Sequence, residues 1–140
     1  SMIEKDIKKH LHASSNIRNV VGNRIFAGRA GQTARGALLI VRNITSERFY
    51  SLSSEVAAKS SVLQVDCYED SAVKAYDLSE LVRNRLSGYR GTAGDAEIHD
   101  TQIVSERAYT EKPENKSDRW VFAYSFDFAI LHDSTVPTFN

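Results

Sequence analysis

The sequence predicts an α+β fold: a mostly antiparallel sheet with a long C-terminal β-hairpin, packed by one main helix over about 71–87 and by a short N-terminal helix. Three patterns carry that reading. Leu63, Val65 and Cys67 alternate with Val62, Gln64, Asp66 and Tyr68, the period of a half-buried strand. Immediately downstream, Ala75, Leu78, Val82, Leu86 and Tyr89 recur at steps of three and four, an apolar stripe on a helix with Asp77, Glu80 and Asn84 opposite. Near the C-terminus Trp120, Phe122, Tyr124, Phe126, Phe128 and Ile130 take every second place against Val121, Ala123, Ser125, Asp127, Ala129 and Leu131. At about 3.3 Å per residue that strand is roughly 40 Å long.

In chain order, Ser1 before Met2 has the form of a cloning remnant and is left out of the fold. Ile3, Ile7 and Leu11 lie four apart among charged residues, a narrow stripe expected to pack only lightly. Ala13 to Asn16 breaks this helix, and Ile17 to Ile25 is either a second helical turn or an extended segment. Gly28 to Gly36 holds three glycines and two arginines without an apolar anchor, which predicts a mobile loop. Gly36 to Ile44 is a short apolar run rich in branched residues, a strand covered on both faces, with a tight turn expected at Thr45-Ser46-Glu47 and a second strand over Arg48 to Leu52. Ser53 to Ser60 leads into the 61–67 strand. Asp70 or Ser71 can cap the main helix by accepting a first-turn N–H, and Gly88 can take the left-handed turn that ends it. Its stripe then folds back onto Leu63, Val65 and Cys67. After a linker through Gly94, Asp95 to Tyr109 reads as a strand whose parity slips between Ile98 and Ile103, predicting a bulge near His99 to Thr101. Thr110 to Asp118 is a polar hairpin tip, and residues 133–140 form a loose tail.

Composition narrows the function classes. A chain of 140 residues is one domain, large enough for a core without metals or disulfides. Lys plus Arg and Asp plus Glu both number 18, so no global field recruits nucleic acid or anionic lipid. A lone Cys67 on the predicted core face reads as a small buried hydrophobe, which suits a reducing compartment. No run of 18 apolar residues and no leader pattern marks a membrane or export route.

Catalytic patterns are missing from the sequence, and no cofactor is expected. His10 and His12 are two apart, on different helix faces, and HExxH, CxxC and GxSxG do not occur. The Gly28 to Thr33 loop precedes a strand, whereas a phosphate cradle needs a Lys-Ser/Thr pair opening a helix after one. Arg24, Arg29 and Arg35 remain candidates for nucleic-acid phosphates or acidic partner groups, against a reading as solvated loop arginines. Arg90 follows Tyr89 at the helix exit as an aromatic-basic pair, and Glu111, Lys112, Lys116 and Trp120 are candidate contacts of the hairpin tip. One short helix cannot cover six large apolar side chains in a row. Part of that row lines the core or meets a second copy, which favours an oligomer.

In order and in local motif the chain resembles the tail-completion proteins of tailed phages, also described as head-to-tail joining or tail-terminator proteins. The resemblance spans about Val20 to Phe128. It is carried by Asn23 to Gly28, Leu38 to Val41, Val62 to Tyr68, Ala75 to Leu86, Gly88-Tyr89-Arg90-Gly91, Ser105 to Tyr109 and Ser125 to Phe128. The loop before Leu38 departs from the family, with glycines and arginines where prolines are usual. What the resemblance implies is a non-enzymatic virion subunit at the head–tail junction, assembled in the host cytoplasm into a ring, commonly a hexamer. Such a ring would cap the tail tube protein and dock on the head connector or head-completion protein, with DNA meeting it only in passage and no membrane involved. The competing reading is a small α+β binding module that uses the Gly/Arg loop.

Overall fold

A computed structural model of the chain describes residues 2–28, 36–50, 57–111 and 121–134. Its elements are α1 Ile3–His12, α2 Ser15–Val21, β1 Ile25–Ala27, β2 Leu38–Tyr50, β3 Ala57–Glu69, α3 Ala72–Leu86, β4 Gly91–Ala93, β5 Ala96–Glu111 and β6 Val121–Ser134. The fold is α+β, one sheet in the order β1-β2-β3-β6-β5-β4 with helices on one face. Every neighbouring pair is antiparallel except β1 with β2.

The main helix forms as its sequence dictates. Ser71 is the cap, accepting the Lys74 N–H at 3.2 Å, and Gly88 turns out of the helix at φ 75°. Ala75, Leu78, Val82 and Leu86 are buried against Leu63, Val65 and Cys67 of β3 and Phe126 and Phe128 of β6. Burial pushes the Cys67 thiol far above its ordinary range, so it is not a nucleophile.

Two expectations are corrected, and one left open is decided. The turn expected at 45–47 is instead a bulge between Asn43 and Thr45, and β2 runs on to Tyr50 paired with β3 throughout. A bulge shifts the register without ending the ladder, which local polarity cannot distinguish from a turn. Ala13 to Asn16 does break the first helix, but Ser14 then caps α2 by accepting the Ile17 N–H at 3.3 Å, and Ile17 and Val21 are fully buried. Ile25 already belongs to β1, so the 17–25 stretch is helix followed by strand. Finally, α1 does not pack lightly. Ile3, Ile7 and Leu11 are buried, with Asp6 and His10 beside them, because α1 lies against β1, β2 and β4.

The slip foreseen in β5 is present between Ile98 and Asp100, and a second bulge lies between Ile103 and Ser105. What local pattern did not indicate is that β6 inserts between β3 and β5, placing Leu63 level with Phe128 and Val65 with Phe126.

Candidate assembly surfaces

The alternate row of β6 divides into two parts. Phe126, Phe128 and Ile130 are buried beneath the helices. Tyr124 and Phe122 continue the row half-buried toward the β5–β6 hairpin end. Tyr124 meets Phe126 at 5.3 Å between centroids and Tyr76 edge-on at 6.0 Å. Tyr76 and Val73, on the outer side of α3, are 51% and 71% exposed. The result is an aromatic strip that leaves the core and surfaces at the start of α3. Arg83 borders it, stacked 5.2 Å over the Phe126 ring and paired with Glu80 at 3.1 Å and Glu106 at 2.5 Å.

The opposite face of the central strands is polar. Asp66, fully buried, accepts from Gln64 Nε2 at 2.9 Å and from the Ser125 hydroxyl on its Oδ1, while Arg42 stands 3.6 Å from its Oδ2. One β6 position further along the face, Asp127 accepts from Ser105 Oγ at 2.8 Å and lies 3.7 Å from Arg107. Each carboxylate thus has an arginine and a hydroxyl donor, the arrangement of a structural charge network; it offers no activated nucleophile. The signal for it in the sequence is an Asp between Val65 and Cys67 in the middle of a strand, where aspartate is disfavoured.

Of the predicted contact residues, Arg24 is half-buried and turned inward. Its Nε donates to the Ala37 carbonyl at 2.8 Å and its guanidinium reaches the Val20 carbonyl at 3.4 Å, tying the end of α2 to the start of β2. Arg90 is exposed ahead of β4, and Glu111 is exposed at the end of β5. Arg24 and Arg90 therefore flank opposite edge strands of the sheet, and the fold does not gather them into one patch. Arg29, Arg35, Lys112, Lys116 and Trp120 lie outside the described residues, as do the Gly/Arg loop and the hairpin tip.

The chain matches the family model described as tail completion protein gp17 over residues 5–127. The chain belongs to this family. A tail-completion protein is a structural component of a phage-type virion, which accords with a surface built of strips and charge networks. A chain in the solved virion of a native gene transfer agent particle has the same fold: TM-score 0.66, 14% identity, 94% of this chain and 95% of that one aligned. No curated protein matches the chain by sequence.

Two of the four histidines of the tail-completion chain, His10 and His132, are buried in the packing. His10 is buried, its ring tilted against that of Tyr89 at 4.0 Å between centroids, and exchanges contacts with Arg85, whose Nε donates to the His10 carbonyl at 3.0 Å. His10 joins the buried face because the α1 stripe is wider than Ile3, Ile7 and Leu11 alone. His132 is buried on β6, its Nε2 2.9 Å from Ser61 Oγ. Burial lowers the pKa of both. Among the described residues no three His, Cys, Asp or Glu are grouped to hold a metal, and no helix is long and apolar enough to cross a membrane.

Proposed function

We propose that this tail-completion protein acts as a self-assembling ring subunit, a hexamer by resemblance, that terminates the tail tube and joins it to the head connector without catalysing a reaction. The observation that carries the reading is the apolar strip of Phe122 and Tyr124, half-buried on β6, and of Tyr76 and Val73, more than half exposed on α3. An apolar surface of this kind at the edge of a polar fold marks a protein contact. The ring offers one surface to tail tube protein and another to the connector, and DNA meets it only in passage. Differential binding to correctly finished surfaces then orders assembly without an energy source.

The test is native mass measurement of the protein alone and with tail tubes, together with electron microscopy of particles made without it. Rings on tube ends, and overlong or unjoined tails in their absence, are the expected results. Deleting 111–116 should leave the monomer folded and lower the yield of joined particles. A protein that stays monomeric with tubes present, or particles of normal yield and tail length without it, would overturn the proposal.

A further inference from the structure

We propose that copies of this chain join edge to edge, the outer edge of β2 in one copy pairing antiparallel with the outer edge of β5 in the next. The inference rests on the self-assembly reading above; it assigns the contact between copies to the sheet edges and leaves the aromatic strip to the tail tube or connector.

Among the described residues, both ends of the sheet are open over long stretches. β1 covers β2 only at Leu39–Val41, and β4 covers β5 only at Ala96–Ile98. Among the described residues, β2 from Arg42 to Tyr50 and β5 from Gln102 to Glu111 have no strand outside them. Long bare edges invite pairing, and soluble folds usually blunt them. Here the two edges carry matching text. Ile44-Thr45-Ser46-Glu47-Arg48-Phe49-Tyr50 on one repeats as Ile103-Val104-Ser105-Glu106-Arg107-Ala108-Tyr109 on the other. Each is bulged at its start, and the residues the bulges leave unpaired, Ile44 and Val104, are 55% and 62% exposed.

Charge selects one register. Laid antiparallel with Ser46 opposite Ala108, the strands set Glu47 against Arg107 and Arg48 against Glu106, two opposite-charge cross-strand pairs. Laid parallel with the repeats aligned, Glu would face Glu and Arg would face Arg.

Backbone direction selects the same register independently. The Leu39 N–H donates outward to the Arg24 carbonyl at 3.0 Å, and the Val41 carbonyl accepts outward from the Gly28 N–H at 2.8 Å. Val41 is level with Val65 and Ser46 with Ser61, four residues along β3, so Ser46 and Arg48 also direct their backbone groups outward. On β5 the Thr101 carbonyl accepts outward from the Gly88 N–H at 2.8 Å. Thr101 is level with Ile130 and Glu106 with Phe126, four residues along β6, so Glu106 and Ala108 point outward as well. The charge-selected register puts these outward residues opposite one another as hydrogen-bonded pairs. It also leaves Glu47 and Arg107 as a close non-hydrogen-bonded pair, both on the helix-free face.

The geometry closes. β2, β3, β6 and β5 alternate in direction, so a neighbour related by rotation presents β5 antiparallel to β2 without being flipped. Arg48 is level with Lys59, and Glu106, through Phe126, with Val65, so the joint staggers adjacent copies by the six residues between Lys59 and Val65. Six residues at about 3.3 Å across four strands at about 4.8 Å tilt the strands by about 45°, the value at which a sheet curls into a closed barrel. That tilt does not depend on copy number. The polar face of Arg42 and Gln64 then lines the channel and the helices lie outside.

The test is disulfide trapping. A non-hydrogen-bonded antiparallel pair has Cα atoms about 4.5 Å apart, within disulfide range, and the native Cys67 is buried. Mixed and oxidised, Glu47→Cys and Arg107→Cys proteins should give a dimer linked between the two sites, and the double variant a ladder on a non-reducing gel. Val73→Cys mixed with Arg107→Cys should give neither. Glu47→Arg and Arg107→Glu should each weaken self-association at least tenfold, and their combination should restore it. Multimers by native mass that show no 47–107 link overturn edge pairing while leaving ring assembly standing. A protein monomeric both alone and with tail tubes overturns both.

Discussion

Replacing Gly94 with alanine tests how α1 is held, and the structure gives its cost by comparison with Gly88. Both glycines have positive φ, 56° and 75°. A Cβ at Gly88 meets nothing within 4 Å, whereas one at Gly94 falls 2.6 Å from Asp6 Oδ1 and 2.9 Å from Asp6 Cα. At Gly88 the left-handed backbone costs alanine about 1–2 kcal/mol, partly offset by about 0.4–1 kcal/mol of lost freedom in the unfolded chain, so the net is about 1 kcal/mol. At Gly94 the same strain applies, and carbon contacts settle at about 3.5–4 Å. The turn and the α1 backbone must therefore separate by about 0.6–1 Å. That movement stretches the hydrogen bond from the Asp95 N–H to Asp6 Oδ1, now 3.0 Å, and such bonds to a charged acceptor contribute about 1.5–3 kcal/mol. The expected loss for Gly94→Ala is about 3–5 kcal/mol, or about 10–15 °C in Tm for a domain of this size. Urea melts of both variants, with the slope checked for constancy, measure the difference, and hydrogen exchange should show α1 opening first in Gly94→Ala. A Gly94→Ala protein no less stable than Gly88→Ala would refute the placement of α1 against the β4–β5 turn.

Leu78→Ala should lose about 2–5 kcal/mol in urea melts by opening a cavity beneath α3, while Val73→Ala, 71% exposed on the same helix, should stay within about 0.5 kcal/mol of the parent. Stability should also fall on mild acidification. His10 and His132 have folded pKa values held below the ordinary 6.5, chiefly by burial, with Arg85 adding to the effect at His10 and Lys59 at His132, opposed at His132 by Asp6 and Asp133. The unfolded chain then takes up protons first, so the contribution present above about pH 6.5 is lost as pH drops below that value. Urea midpoints measured between pH 7.5 and 5.5 should decline, and His10→Gln with His132→Gln should flatten the slope; an unchanged slope would refute the assignment.

The unit from Leu63 to Gly88 was legible in the sequence because each of its signals is local: alternation, the Ser71 cap, the stripe and the left-handed glycine agree. The α1 stripe was legible in position and underestimated in depth, since Asp6 and His10 are buried by β4 and α3, elements some eighty residues away. The turn expected at 45–47 failed for a related reason. Thr45, Ser46 and Glu47 have turn-like polarity, yet each has a partner on β3 in Val62, Ser61 and Ser60, and pairing overrides local preference. The insertion of β6 between β3 and β5 joins residues more than sixty apart in places, and no local pattern encodes such a neighbour. Of the contact residues, Arg24 looked free in a glycine-rich context and proved to be engaged by main-chain carbonyls.

The bulges connect the buried and the open halves of the sheet. Leu39, Val41 and Asn43 are level with Cys67, Val65 and Leu63, whose side chains face the helices. An unbroken alternation would bring Thr45 and Glu47 to that face. The skipped Ile44 inverts the order, so Ser46 reaches Ser61 Oγ at 2.9 Å on the helix side and Glu47 turns to the other. On β5 the skipped Val104 does the same at nearly the same level of the sheet, for Asn43 and Ile103 flank the Leu63–Phe128 pair. With it, Glu106 comes to the helix side, where Arg83 holds it, and Arg107 turns to the face of Asp127. Two strands with bare outer stretches and the same Ser-Glu-Arg triplet thus keep one apolar face for the helices and still present their charges in matching phase. A strand without a bulge cannot satisfy both requirements, because its side-chain period is fixed at two.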